Sequence, residues 1–440
     1  MEISKGAQFI LNRLKTQGEG YLVGGCVRDF LLGQPCHDED ICSSLLPGEI
    51  QSLFADLPQT DQGLKHGTVG LVLEGRLYEV TTYREDGAYS DHRRPDQVTF
   101  TRSLKEDLAR RDFTINAMAK GPDGEIIDPF GGQADLKAGL VRAVGDPWKR
   151  FEEDSLRLLR AVRFANRLGF LLDPQTEQAI RDQAGLLSAI SAERIAEEFL
   201  KILGDDPEGV TWLHTLGLLP YAYPEIDLCF NCPQETPYHL YDVGRHSVAA
   251  AKAGQGRVFR VAALLHDLGK PAAKTYDARG RAHFYDHAKI SADLAAPLLR
   301  KLFLPREDRQ LILALIRWHD MISKQPAKLA RLVRDLPDSF WPLFFQLKRA
   351  DIGAQSDLDR EAKLRLVEDQ EALIDRLLAG PHRLQDLAVT GRDLQDLGYQ
   401  GPAIGEALAE ILCLVMEKPS RNQRDYLLER AERLLPDRQV

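Results

Sequence analysis

Apolar positions change their period along this chain. Ile3, Phe9, Ile10 and Leu14 recur at helical spacing and predict a short amphipathic helix within residues 1–20. Short strand-like runs follow at 21–23, 41, 70–73, 77–82 and 98–101. LEGRLYEVTTY, with Gly75-Arg76 between two apolar runs, predicts a β-hairpin. Together these runs describe a compact α+β unit of mixed strands that ends near Leu136.

From Leu140 the pattern is helical. RFEEDSLRLLRAVRFANRLGF carries Leu156, Leu159, Val162, Phe164 and Leu168 on one period and closes on Gly169, with Glu153, Asp154 and Arg157 at the start of that helix. Ser191 is set as N-cap of a helix over 191–203, with Glu193 and Arg194 in its first turn. Residues 220–239 are rich in Pro and turn formers and read as a linker. A second helical region holds most of the His, with segments at 294–303, 309–318 and 340–350. Past residue 356 lies Leu-rich, charged helix, broken at Gly380-Pro381 and at GYQGP. The expected domains are 1–136, 137–208, 209–355 and 356–440.

Composition changes this picture little. A chain of 440 residues exceeds one ordinary core, and 44% hydrophobic with 28% charged residues is ordinary for a soluble globular protein. A net charge of −9 excludes a generally basic nucleic-acid coat but not a local patch. Seven Lys/Arg face three Asp between Arg317 and Arg349, an excess suited to an RNA backbone or to a solvated helix face. The six Cys form no framework, and Cys229-x-x-Cys232 lacks a second pair at zinc spacing. No apolar run approaches a membrane span, so no membrane partner is expected and the expected location is cytoplasmic. No stretch specifies an oligomeric state.

Candidate chemistry begins at YLVGGCVRDFLLGQPCHDEDIC, residues 21–42. Asp38 and Asp40 share a strand face while Glu39 takes the other. Adjacent carboxylates repel, and a divalent cation shared with nucleotide phosphates relieves them; a solvated acidic turn is the plain alternative. Gly24-Gly25 lets phosphate oxygens approach the backbone, with Arg28 close behind. Glu79 is the expected third carboxylate and Asp107 its runner-up. Arg110 and Arg111 suit a triphosphate, and Asp112 or Asn116 suits ribose hydroxyls. DPFGG reads as a hinge or an ordinary connecting turn. Asp154 and Arg157, three apart on a helix, share a face. A carboxylate accepts from an exocyclic amino group and a guanidinium donates to a ring nitrogen. Cytosine and adenine match that pair; uracil and guanine leave like groups opposed.

The ordered set GGCVRD, DED, YEVTTYR, RRDFTINAMA, DPFGG, EDSLRLLRAVRFA and SAERIAEEF, over about residues 1–203, resembles the class II tRNA nucleotidyltransferases. These are the CCA-adding enzymes, related to bacterial poly(A) polymerases in the polymerase-β-type superfamily. The resemblance implies an α+β polymerase-β-type head, an all-α neck, an HD-type helical body and a helical tail. It implies template-independent addition of C, C and A to the 3′ end of tRNA from CTP and ATP, with two Mg²⁺ and release of pyrophosphate. Asp38 and Asp40 would hold Mg²⁺. Glu153, Asp154 and Arg157 would select the base, and Arg110, Arg111 and Asp112 would contact sugar and triphosphate. Gly24, Gly25, Arg28, Asn116 and Arg160 would complete the nucleotide site.

Ser155 stands where the family usually has Pro, which should change rigidity more than chemistry, and Cys42 where Thr or Ala is common. The interval LKHGTVGLVLEGRLYEV lacks the Arg-rich stretch of the poly(A) polymerases, which favours tRNA. REDGAYSDHRRPDQV, residues 84–98, resembles the flexible loop that CC-adding members lack. Complete CCA addition and terminal A addition both stay open. In the second half, His246, His266-Asp267 and Asp351 resemble an HD-type metal-dependent phosphohydrolase domain. His287 and His319 fall where two-metal members carry further ligands. Imidazole with carboxylate suits Mn²⁺, Ni²⁺, Fe²⁺, Zn²⁺ or Mg²⁺. Phosphodiesterase, phosphatase or 2′-nucleotidase chemistry is open there, as is a silent site. TGRDLQDLGYQGPAIGEAL resembles the tRNA-contacting tail of bacterial members.

Overall fold

The computed structural model describes residues 3–36, 38–61, 63–64, 67–87 and 98–435. They divide into two compact units, Met1–Pro224 and Glu225–Val440.

The first unit is built on a sheet whose strands are β1 (Gly20–Val23), β2 (Ile41–Ser43), β3 (Gln59–Thr60), β4 (Thr68–Leu73), β5 (Arg76–Thr82), β6 (Ala119–Lys120) and β7 (Ile126–Ile127), in the order β3-β4-β5-β2-β1-β6-β7. β2 and β5 pair in parallel, Ile41 opposite Val80; the other pairs are antiparallel. The β4–β5 hairpin turns on Glu74 and Gly75, both at positive φ (52° and 79°), the conformation that suits a two-residue turn to strand twist. Val23, Cys42, Leu108, Ala117 and Ala119 close the core beneath the sheet. Strands Arg84–Asp86 and Val98–Phe100 pair antiparallel at the ends of the segment read as a flexible loop, of which 88–97 lie outside the described residues.

The N-terminal helix is Lys5–Leu14, capped by Ser4. Ile10 and Leu14 are buried, but Phe9 is 43% exposed, so its place on the predicted apolar face is corrected. The Ser4 hydroxyl and amide donate to Glu39, which also pairs with Arg76 at 3.0 Å. Residues 38–40 precede β2 and are not strand, yet they alternate: Glu39 is buried in the fold, while Asp38 and Asp40 keep solvent-facing atoms, with the Asp40 carboxyl seated between cavity walls. DPFGG is not a slack hinge: the Asp128 carboxylate accepts from the Gly132 and Gln133 amides and caps the helix Gly132–Ala138.

Helices complete this unit, ending with Ala192–Asp205, Glu208–Thr215 and Leu219–Ala222. Residues 220–239 are only partly a linker. Pro220 and Pro224 begin the short helices Leu219–Ala222 and Pro224–Phe230, because a fixed φ and a missing N–H suit a first helical turn. In the second unit, Val243–Lys252, Arg257–Leu265, His287–Lys301, Arg306–Trp318 and Phe340–Gly353 pack on one another over a core that includes Phe340, Trp341 and Phe344. Pro326–Asp335, Arg360–Ala379, Pro402–Glu417 and Arg424–Leu434 follow.

Candidate active site

Two concavities meet at Asp40. The first, about 440 Å³, is lined by Gly24, Gly25, Arg28, Asp38, Asp40, Arg111, Asp112, Asn116 and Arg160. The second, about 200 Å³, lies on the other side of the same carboxylate, against Glu79, Thr68, Thr81, Arg110 and Arg111. Because Ile41 pairs with Val80, Asp40, just before β2, stands beside Glu79 in the middle of β5. Burial pushes the Asp40 carboxyl up; Arg111 opposes that, and Glu79 and Asp38 add to it by repulsion. Asp40 and Arg111 thus line both cavities, with Asp38 in the larger one and Glu79 in the smaller.

The floor of the larger cavity is an ordered network. Gly24 (φ 76°, ψ −139°) joins β1 to the helix Gly25–Leu31, and a Cβ there would stand 3.0 Å from an Arg111 nitrogen. Buried Arg28 donates to Asp29 (2.8 Å) and Asn116 (2.7 Å), and Asn116 donates to Asp112 (3.1 Å). Arg160 donates twice to the other Asp112 oxygen, at 2.9 and 2.6 Å. Burial alone would raise Asp112; Arg160 and the Asn116 amide override it and hold the carboxyl at about 2. Asp107, the alternative third carboxylate, is wholly buried and accepts from Arg110 and Arg111, so it anchors the arginines behind the cavity wall.

Sequence spacing misses Arg163, Phe164 and Arg167, which line the same cavity. They lie three, four and seven residues beyond Arg160, the helical spacing that would have flagged them. Arg28, Arg160 and Arg163 each place a guanidinium within 5.3 Å of the Phe164 ring, a cationic wall on an aromatic base.

Asp154 and Arg157 do not share one helix face, and no ion pair joins them. The chain has two helices, Pro147–Glu153 and Arg157–Leu168, and Asp154 between them is extended (φ −139°, ψ 100°). Its carboxylate accepts from the Leu156 amide and from Arg194, each at 3.2 Å. Arg157 instead donates to Glu153 (3.0 Å) and to the carbonyls of Arg150 (3.0 Å) and Arg110 (2.9 Å). Local capping and a partner forty residues downstream outcompete the i,i+3 contact.

Ser155 sits in the break, fully buried, with its hydroxyl unpaired. An extended residue before it and an αR residue after it (Leu156, φ −63°, ψ −22°) match the surroundings of a turn proline. Ser155→Pro is therefore expected to stabilise the unit by about 1 kcal/mol, through lost unfolded-state freedom and removal of the orphan hydroxyl. A lowered denaturation midpoint in that variant would contradict this reading of the turn.

The second unit holds a separate cluster. Asp267 is 1% exposed; its Oδ2 lies 3.2 Å from His266 Nε2 and 3.7 Å from His246 Nε2. Its Oδ1 lies 3.3 Å from His287 Nε2 and 3.5 Å from His319 Nε2. Asp351 accepts from His246 Nε2 at 2.9 Å. His266, His287 and His319 each donate Nδ1–H to the carbonyl three residues earlier, at 2.7, 2.8 and 2.7 Å. This turns three Nε2 atoms inward; burial opposes a charge on each ring, but Asp267 raises His266 and His287 above the ordinary value, while burial keeps His319 below it. The Nε2 atoms of His287 and His319 lie 3.2 Å apart. Burial opposes ionisation of Asp267 and Asp351, but the surrounding imidazoles, together with Lys270 at Asp267, hold both carboxyls below the usual range. Lys270, 2.6 Å from Asp267 and 2.7 Å from Gln234, is a member the spacing argument missed. His239 is another: burial, then Lys270 and His246, push it down to about 3.

Residues 20–142 match the poly A polymerase head domain, 169–229 the probable RNA and SrmB-binding site of polymerase A, and 238–337 the HD domain. The CCA-adding enzyme of Lactiplantibacillus plantarum is 52% identical over 220 residues, 49% of this chain and 54% of that protein. The chain thus aligns with about half the length of that relative. The CCA-adding enzyme of Enterococcus faecalis is 36% identical over 440 residues, 98% of this chain and 96% of that protein. Among solved structures, the Bacillus stearothermophilus CCA-adding enzyme in complex with CTP superposes with a TM-score of 0.69 at 33% identity, covering 96% of each chain. A CCA-adding enzyme complex with ATP, at 23% identity and a TM-score of 0.65, covers 97% of this chain and 94% of that one and shares the fold.

Proposed function

This chain belongs to the family of CCA-adding enzymes, and from that premise we propose that it adds C, C and A to the 3′ end of tRNA from CTP and ATP, releasing pyrophosphate. The place of Asp40 between two cavities, with Asp38 lining one and Glu79 the other, carries the reading. One cavity is suited to the incoming nucleotide and the other to the RNA terminus. The carboxylate set suits hard divalent cations such as Mg²⁺, which when bound supply hydroxyl activation and neutralise the leaving pyrophosphate.

The chain's own groups do the positioning. The Gly24 turn opens backbone to the phosphates, while Arg28, Arg111 and Arg160 face the triphosphate charge. Asp112, held ionised, takes a ribose hydroxyl by giving up one of its present donors, Arg160 or Asn116. Glu153, Asp154 and Arg157 read the base once Arg157 exchanges its present acceptors for the nucleotide, with Arg194 holding Asp154 in place. Lys324, Lys328 and Arg331 favour the tRNA backbone as the partner of the second unit, and the tail helices the rest of the tRNA. The expected location is cytoplasmic; no described helix is long and apolar enough to cross a membrane.

Incubation with tRNAs ending at the discriminator base, in C or in CC, with CTP and ATP singly and together, tests the assignment. Addition at all three ends supports CCA synthesis. Addition only after CC means an A-adding enzyme, and long tails mean poly(A) synthesis.

A second reading attaches to the histidine cluster: divalent ions held by His246, His266, Asp267 and Asp351 on one side, and by Asp267, His287 and His319 on the other. Inward Nε2 atoms 3.2 Å apart, beside the buried carboxylate of Asp267, favour it, and a phosphoester would be the substrate class. Metal content of dialysed full-length protein should fall clearly in Asp267→Ala while nucleotide addition persists. Unchanged metal content would remove this reading.

A further inference from the structure

The smaller of the two cavities beside Asp40 carries a pair of hydroxyls that the transfer chemistry does not use. Thr68 and Thr81 stand directly opposite one another across β4 and β5, and their Oγ1 atoms lie 2.9 Å apart. Thr81 is two residues beyond Glu79, so strand alternation puts that carboxylate and the hydroxyl pair on one face of the sheet. Both threonines are half-buried, and both line the cavity together with Asp40 and Glu79. A β-branched side chain is stiff at χ1, which holds the hydroxyls in place. Among the described residues they bond only to each other. One such bond leaves the pair able both to donate and to accept. A ribose 2′-hydroxyl does the same, and a phosphate oxygen only accepts.

We propose that Thr68 and Thr81 seat the 2′-hydroxyl of the terminal ribose, so that nucleotide is added to RNA ends in preference to ends that finish in a deoxyribose. The proposal rests on the reading of this cavity as the place of the RNA terminus. Its volume, about 200 Å³, is small. Pockets that enclose whole small molecules run to roughly 300–1,000 Å³, so this one takes a sugar and leaves the base outside. Arg84 and Arg110 on its wall suit the phosphate that links that sugar to the rest of the strand. Seating the 2′-hydroxyl presents its neighbour, the attacking 3′-hydroxyl, to Asp40 and Glu79. The pair thus acts on which ends are used and plays no part in base choice.

The expected preference is moderate. A site whose buried polar groups are left unpaired by the wrong substrate rejects it by roughly 10⁴–10⁵-fold. Here a deoxyribose end leaves Thr68 and Thr81 bonded to each other, so about one hydrogen bond is at stake, roughly tenfold in rate. The competing account is a cross-strand threonine contact that supports the sheet and nothing else. The two accounts part on the ratio between ribose and deoxyribose ends, which a purely structural contact would not move.

The test compares ATP addition by full-length protein, with Mg²⁺, to two tRNAs ending in CC that differ only in a ribose or a 2′-deoxyribose at the last nucleotide. The expected kcat/KM is about tenfold higher for the ribose end. That preference should fall toward equality in Thr81→Val and in Thr68→Val, and return in Thr81→Ser. Valine matches threonine in shape and suits a strand, and melting temperatures check that both variants are folded. Equal use of the two ends by wild-type protein would overturn the proposal, as would an undiminished preference in both valine variants. Affinity for the two tRNAs, measured without ATP, does not depend on turnover. Wild-type protein that adds nothing to either end would count against the transferase reading. In that case a ribose preference in affinity that Thr81→Val abolishes would uphold the seat, and equal affinity would overturn it.

Discussion

Asp40→Ala should abolish nucleotide addition, by about 10³-fold or more, since on the proposed reading Asp40 is a metal ligand whose loss removes several kcal/mol of charge stabilisation, and each 1.36 kcal/mol is tenfold. The same variant should melt at or slightly above the wild-type temperature. Asp40 stands beside Glu79 and Asp38, and its pKa is raised by burial and by that repulsion. A carboxyl whose folded pKa is raised is more stable protonated, so its charge costs stability at neutral pH and removing it relieves the fold. Activity lost with stability kept or gained marks a group retained for chemistry. Addition near wild-type levels would refute the metal assignment; lost addition with a lowered melting temperature would mean that Asp40 supports the fold.

Arg157→Ala should lose base choice more than rate. Its guanidinium now donates to Glu153 and two carbonyls, which fixes it at the start of its helix. A site that hydrogen-bonds one base edge rejects the mismatched edge by leaving buried polar groups unpaired, worth roughly 10²–10⁴-fold in discrimination. Misincorporation of UTP and GTP relative to CTP should rise by that order. Arg157 is also buried, and its removal leaves Glu153 with Arg150 alone as a recorded ion-pair partner. Some loss of stability is therefore expected, and the selectivity ratio is the informative readout. Wild-type selectivity in Arg157→Ala would show that the base is read elsewhere.

Period-two and period-3.6 patterns made much of the fold legible. Alternation separates Glu39, which clips the N-terminal helix, from Asp38 and Asp40, and it leaves Glu79 exposed between buried Tyr78 and Val80. What spacing misjudged depended on contacts far along the chain. Asp154 leaves the helix for Arg194, and Asp107 turns behind the wall to hold two arginines. Pro220 and Pro224 looked like linker because proline composition does not distinguish a turn from a first helical turn. The inward imidazole nitrogens of the second unit were legible only as residue types. Their orientation is set by carbonyls three residues earlier, which the helix ends bring into reach.

The measurement that bears most directly on the whole account is the mass of a tRNA ending at its discriminator base after incubation with the full-length protein, Mg²⁺, CTP and ATP. The account predicts growth by C, C and A followed by arrest. Unextended RNA, or a tail that keeps growing beyond those nucleotides, would contradict it.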